Sequence, residues 1–233
     1  MALNIGVLVF PGANCDHDAY YALKHEMGLE TRFIWHKETD LGQIDAVIIP
    51  GGFSYGDYLR SGAIARFSPV MGAVEKFAEQ GGPVLGICNG FQILLEAGLL
   101  PGTMMHNEHL RFTCKMSRIR CKNQNTLFTG KIDHQNILHI PVAHGEGNYF
   151  ASTDTLKQLQ DENRIVFQYC DQNGEVTPEA NPNGSVENVA GICNTKGNVL
   201  GMMPHPERAV DSNLGSDDGK LLFQSLIDQL ETV

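Results

Sequence analysis

The sequence predicts an α/β protein, built on a mostly parallel central sheet with helices on both faces and extended by added mixed strands. Three observations carry this. Short apolar strands alternate with helical patterns through the first hundred residues. Those strands are near-continuously apolar, as strands covered on both faces are. The later part instead holds strands separated by turn chemistry, then one closing amphipathic helix.

In order, 4–10 (NIGVLVF), 31–36 (TRFIWH), 46–50 (AVIIP) and 83–87 (PVLGI) are the first four strands. Helices fit 15–27, 68–80 and 89–97, and Pro69 suits the first turn of the second. Segments 111–122, 136–144, 164–170, 188–194 and 198–204 are the added strands, punctuated by Asp-Gln-Asn-Gly, Asn-Pro-Asn-Gly and Thr-Lys-Gly-Asn turns. A last helix fits 217–231, with Leu221, Leu222, Phe223, Leu226, Ile227 and Leu230 as its apolar face. No linker, repeat or low-complexity tract divides the chain, so residues 1–233 are expected to form one domain.

Composition narrows the function. The net charge is −10, and no basic stripe offers itself to nucleic acid. No apolar stretch is long enough to cross a bilayer, and the N-terminal residues lack the basic region of a secretory signal. A cytoplasmic location is expected. The six cysteines include no Cys-x-x-Cys pair, which points to core residues plus one reactive thiol rather than a disulfide framework.

The reactive thiol is expected at Gly86-Ile87-Cys88-Asn89-Gly90, which closes the fourth strand and opens the third helix. This G-x-C-x-G spacing is that of a nucleophile elbow, with sulfur in place of the hydroxyl of G-x-S-x-G. The turn strains its central residue, and the flanking glycines remove side chains that would collide there. It sets the thiol at a helix N-terminus, where the dipole favours thiolate, with the Asn89 amide positioned for an oxyanion. The plain alternative is a buried core cysteine with glycines serving close packing.

A nucleophilic thiol needs a base and a group to orient it. His205 and Glu207, on either side of Pro206, follow strand 198–204 and supply both; a solvated surface turn is the other reading. Pro50-Gly51-Gly52 follows strand 46–50, and the Gly52 amide is a candidate second oxyanion donor. In a parallel sheet all three strand ends share the edge where ligand sites lie.

FPGANCD, PGGFSYGDYLRSGAIA, GICNGFQ, PVAHGEGN and MMPHPER together resemble the class I (triad-type) glutamine amidotransferases. The narrower motifs resemble the purine-biosynthetic branch of that family, the glutaminase subunits of phosphoribosylformylglycinamidine synthases. The resemblance runs over essentially the whole chain and implies a flavodoxin-like architecture. It implies Cys88 as nucleophile, His205 as base, Glu207 as its orienter, and Gln92, His144, Gly145 and Glu146 as holders of the glutamine main-chain groups. Glutamine would be hydrolysed through a glutamyl thioester. No phosphate-binding loop or dinucleotide fingerprint is present, so no cofactor is expected in this chain. The resemblance places ATP and Mg on a large synthetase partner, joined by a small third subunit. The rival readings are a stand-alone γ-glutamyl cysteine hydrolase and a redox-sensing protein with a similar elbow. In the latter group His typically follows the cysteine, where this chain has Asn89.

Cys15 also follows a strand but lacks the second glycine, having His17 there, so a loop or interface role is expected. Asp16 and Asp18 are expected to cap the helix and complement its dipole. His106, His109, Cys114 and Cys121 match no common zinc spacing, and no metal site is expected.

Overall fold

The computed structural model describes residues 3–133 and 135–232. Its strands are β1 (Asn4–Val9), β2 (Glu30–Trp35), β3 (Ala46–Ile49), β4 (Val84–Ile87), β5 (Thr103–Met105), β6 (Thr113–Cys121), β7 (Ile137–His144), β8 (Asn148–Phe150), β9 (Ile165–Tyr169), β10 (Val189–Cys193) and β11 (Val199–Met202). The α-helices are α1 (Asp16–Tyr21), α2 (Pro69–Glu79), α3 (Asn89–Glu96), α4 (Thr153–Asp161) and α5 (Lys220–Thr232). Beyond α1 the chain widens into a π-helical turn over Ala22–Glu26, so the helix expected at 15–27 is not uniform.

Nine strands form one sheet in the order β2-β1-β3-β4-β11-β10-β9-β6-β7. The first five run parallel, and their 2-1-3-4-then-last order is the flavodoxin-like plan. The chain steps from β1 out to β2, then back past β1 to β3 and on to β4, and right-handed crossovers in these opposite senses place α1 and α2 on opposite faces. β10, β9, β6 and β7 continue the sheet antiparallel. Burial follows this division. Every residue of β3, β4 and β11 is buried, whereas β7 alternates buried with half-buried positions, one face nearer to water. β5 and β8 form a separate two-stranded ribbon that the sequence pattern does not predict, and α4 is likewise unforeseen.

The register positions the site. Gly86 of β4 pairs with Ile49 of β3 on one side and with Gly201 of β11 on the other. The three strands therefore end level, and the residues after them emerge at one edge. Beneath that edge α3 buries Phe91, Ile93 and Leu94, each worth about 1.5–3 kcal/mol of transfer free energy. Gly201 makes room for this: a Cβ there would lie 2.1 Å from the Phe91 ring. Among the described residues no helix is long and apolar enough to cross a membrane.

Candidate active site

Cys88 sits at φ 51° and ψ −104°, outside the favoured regions for an L-residue. Its surroundings hold it there. The Cys88 amide donates to the Met202 carbonyl at 2.7 Å, and its carbonyl accepts from Gln92 in the first turn of α3. Gly90 passes so close to β3 that a Cβ would stand 1.9 Å from the Ile49 carbonyl oxygen. The glycine spacing is thus a steric requirement of the turn. The thiol is nearly buried and donates weakly to the Ala143 carbonyl, 3.7 Å away. Asn89 opens α3, so its amide has no helical acceptor and faces outward from the N-terminus.

His205 and Glu207 come from the turn after β11, and the His205 amide is anchored to the Pro141 carbonyl of β7 at 2.8 Å. His205 Nδ1 lies 2.6 Å from Glu207 Oε1, with both side chains buried. Burial alone would push the imidazole down. The Glu207 carboxylate and the Cys88 and Cys15 sulfurs together outweigh it, and His205 is held well above its ordinary value. Its Nε2 is buried without a hydrogen-bond partner among the described residues. A charged imidazole with one nitrogen fixed on a carboxylate and the other free beside a thiol can stabilise a thiolate and deliver a proton.

Gly51 lies between these groups, for a Cβ on it would be 2.7 Å from His205 Cε1 and 3.4 Å from Cys88 Cβ. Gly52, at φ 139°, lines a cavity of about 170 Å³ with Cys88, Gln92, His144, Gly145 and Glu146. Three hydrogen bonds tie its walls together. The Ser54 amide donates to Asn89 Oδ1 (3.1 Å), Asn89 Nδ2 to Gln92 Oε1 (2.9 Å), and Gln92 Nε2 to the Glu146 carbonyl (2.6 Å). Gln92 therefore holds the Glu146 backbone. His144 is also committed, to Asn107 Oδ1 through Nδ1 (3.0 Å) and to Asn183 through Nε2 (3.4 Å). Burial, with the neighbouring His205 charge, pushes it down to about 4, so it is a neutral part of the wall.

Sequence reasoning gave Cys15 a loop or interface role and Asp18 a capping role, and it did not single out Asp57. Cys15 is buried against His205, with Arg208 donating to its sulfur at 3.1 Å. Burial pushes this thiol up more than His205 and Arg208 pull it down, which leaves it a poor nucleophile. Asp18 forms an ion pair with Arg208 (2.9 Å) while standing in the first turn of α1, whose N-cap, Cys15, makes no side-chain cap bond. Asp57 also lines the cavity, and burial pushes it up to about 6. Its only sequence signal is its place in the loop GGFSYGD. Among the described residues one group of three ligating side chains lies within 4.8 Å: Cys15, His205 and Glu207. The His205–Glu207 hydrogen bond accounts for most of that closeness. His106, His109, Cys114 and Cys121 form no such group among the described residues.

Residues 2–218 match the model of the CobB/CobQ-like glutamine amidotransferase domain. The chain is 56% identical over 233 residues to phosphoribosylformylglycinamidine synthase subunit PurQ of Salinibacter ruber, covering 100% of this chain and 99% of that one. It is 57% identical over 232 residues to the subunit of the same name in Chlorobium chlorochromatii, with the same coverage. A chain of the structure described as PurLQS from Thermotoga maritima superposes with a TM-score of 0.87 at 40% identity, covering 99% of this chain and 100% of that one.

Proposed function

Because the chain belongs to the CobB/CobQ-like glutamine amidotransferase family, we propose that it is the glutaminase subunit of phosphoribosylformylglycinamidine synthase, the name its relatives carry. The observation that carries the chemistry is the meeting of Cys88 with the buried His205–Glu207 pair at one sheet edge. The Cys88 thiolate attacks the side-chain amide carbon of glutamine. The amides of Asn89 and Gly52 receive the oxyanion, and His205 passes its proton to the departing nitrogen, so ammonia leaves. The resulting glutamyl thioester is opened by water that His205, now neutral, activates, giving glutamate. Glu207 keeps Nδ1 protonated and Nε2 turned to the chemistry throughout. Gln92, His144, Gly145 and Glu146 shape the cavity that takes the amino-acid end of the substrate.

The ammonia passes to a large synthetase subunit, which uses ATP and Mg to convert formylglycinamide ribonucleotide to formylglycinamidine ribonucleotide. A small third subunit completes the assembly, and the reading places it in the cytoplasm. The assembled enzyme tests this. Cys88→Ala should abolish synthesis from glutamine and leave synthesis from added ammonium salt intact. An equal fall in both, in a complex that assembles normally, would make Cys88 structural.

A further inference from the structure

Glutamine reaches the enzyme as a zwitterion, and a cavity that selects it must satisfy its α-ammonium. Among the described residues no lysine or arginine lines the 170 Å³ cavity. Its wall carries two carboxylates, Asp57 from the loop after β3 and Glu146 from the turn after β7, and the Glu146 charge helps to raise Asp57. They differ in what they are free to do. Glu146 Oε2 accepts from the Ser61 amide at 3.3 Å, and its Oε1 faces His106 Nδ1 at 3.4 Å. The Asp57 carboxylate has one hydrogen bond, from the Ser61 side chain, while its Oδ1 is buried with no hydrogen-bond partner among the described residues. A buried carboxylate oxygen left unpaired costs several times what a paired one does, and a bound cation removes that cost.

Resting on the glutaminase reading, we propose that Asp57 is the residue that receives the α-ammonium of glutamine, and so sets the preference for an α-amino acid over a plain amide. The amide carbon and the α-nitrogen of glutamine are four bonds apart. One end can therefore meet Cys88 while the other meets Asp57 in the same cavity. Without ligand, burial above all, and then the Glu146 charge, disfavour ionised Asp57 more than a hydrogen bond from Ser61 favours it, which is why it is pushed up to about 6. The ammonium relieves both. The groups that share the cavity with it are Ser61 on its own loop, Glu146 from the β7–β8 turn, His106 paired with Glu146, the neutral His144 at the end of β7, and Cys88.

The test uses the assembled synthase and two substrates, glutamine and 5-amino-5-oxopentanoate, which is glutamine without its α-amino group. Asp57→Asn should raise KM for glutamine about 10- to 100-fold with kcat nearly kept, the size of one lost charge-assisted contact. It should leave kcat/KM for the desamino amide unchanged. In the unsubstituted enzyme KM for glutamine should climb as the pH falls below about 6, where Asp57 takes a proton. The variant should lose that dependence, and the desamino amide should never show it. Equal losses on both substrates would make Asp57 a structural residue, and an unchanged KM for glutamine would place the ammonium elsewhere. Were the unsubstituted complex to hydrolyse neither substrate, the glutaminase reading itself would fall, a result distinct from either of these.

Discussion

At the scale of single residues, the His205–Glu207 contact carries the clearest expectations. Glu207 Oε1 is the strongest of the groups that together outweigh burial and keep the imidazole charged, so Glu207→Gln should drop the His205 value toward the neutral range. Glutamine hydrolysis should fall more than tenfold, and the alkaline limb of the kcat/KM profile should move to lower pH. A variant with unshifted limbs would show that something else orients the ring. The raised value also bears on stability. The folded state holds this proton more tightly than the unfolded chain, so the contribution is fully present below the unfolded value of about 6.5 and is lost as pH rises through the folded one. A second expectation separates the thiols. A glutamine-like electrophile should label Cys88 ahead of Cys15, because Cys15 is buried and pushed up while Cys88 faces the cavity. Peptide mapping that found Cys15 modified first would reverse the assignment. What the sequence made legible at this scale was local: G-x-C-x-G and His-Pro-Glu are spacings that one stretch of chain carries by itself. Cys15 meeting His205, and Asp57 facing Glu146, join residues 190 and 89 positions apart in the sequence, and only the strand order brings them together.

At the scale of elements, two glycine positions predict opposite outcomes. Gly90 lies in the first turn of α3 against the backbone of β3, where a Cβ would stand 1.9 Å from a carbonyl oxygen that cannot move without moving the strand. Gly90→Ala should cost at least about 1–3 kcal/mol and displace Cys88 from its strained turn. Gly72 lies exposed in the middle of α2, and a Cβ added there would meet no heavy atom within 4 Å. Gly72→Ala should add up to about 1 kcal/mol through helix propensity alone. Thermal melting of the two variants decides it, and a Gly90→Ala protein of unchanged stability and turnover would remove the packing account of the elbow. The same physics explains which elements could be read in advance. β3, β4 and β11 are buried on both faces and write themselves as apolar runs. β5 and β8 are three residues each, too short to show a period, and α4 buries only Leu159 among polar neighbours. Those elements are held by tertiary contacts that leave little pattern in the chain.

At the scale of the whole molecule the question is when the glutaminase should work. Ammonia released into water at neutral pH becomes mostly ammonium, which is no nucleophile, and hydrolysis without an acceptor wastes glutamine. Control at the oxyanion hole fits the structure. The Gly51–Gly52 peptide has glycine on both sides, which allows either orientation. The hydrogen bonds that hold it to the Gly12–Cys15 backbone are long, 3.3 Å from the Cys15 amide to the Gly51 carbonyl and 3.3 Å from the Phe53 amide to the Gly12 carbonyl. Immediately beyond it Phe53, Tyr58 and Leu59 stand exposed, and Tyr55, Asp57 and Leu59 hold positive φ angles of 55°, 53° and 73°. A partner surface that presses on this loop acts on the Gly52 amide directly through the backbone. Losing one oxyanion donor costs about 10²–10³ in rate. The isolated chain should therefore hydrolyse glutamine at least about tenfold more slowly than the complete synthase supplied with ATP and acceptor, with the difference mainly in kcat. Steady-state glutamate release measured in both settings decides the matter. Equal turnover would mean that the hole is already formed in the lone subunit, and a difference confined to KM would move the gate from the oxyanion hole to the substrate cavity.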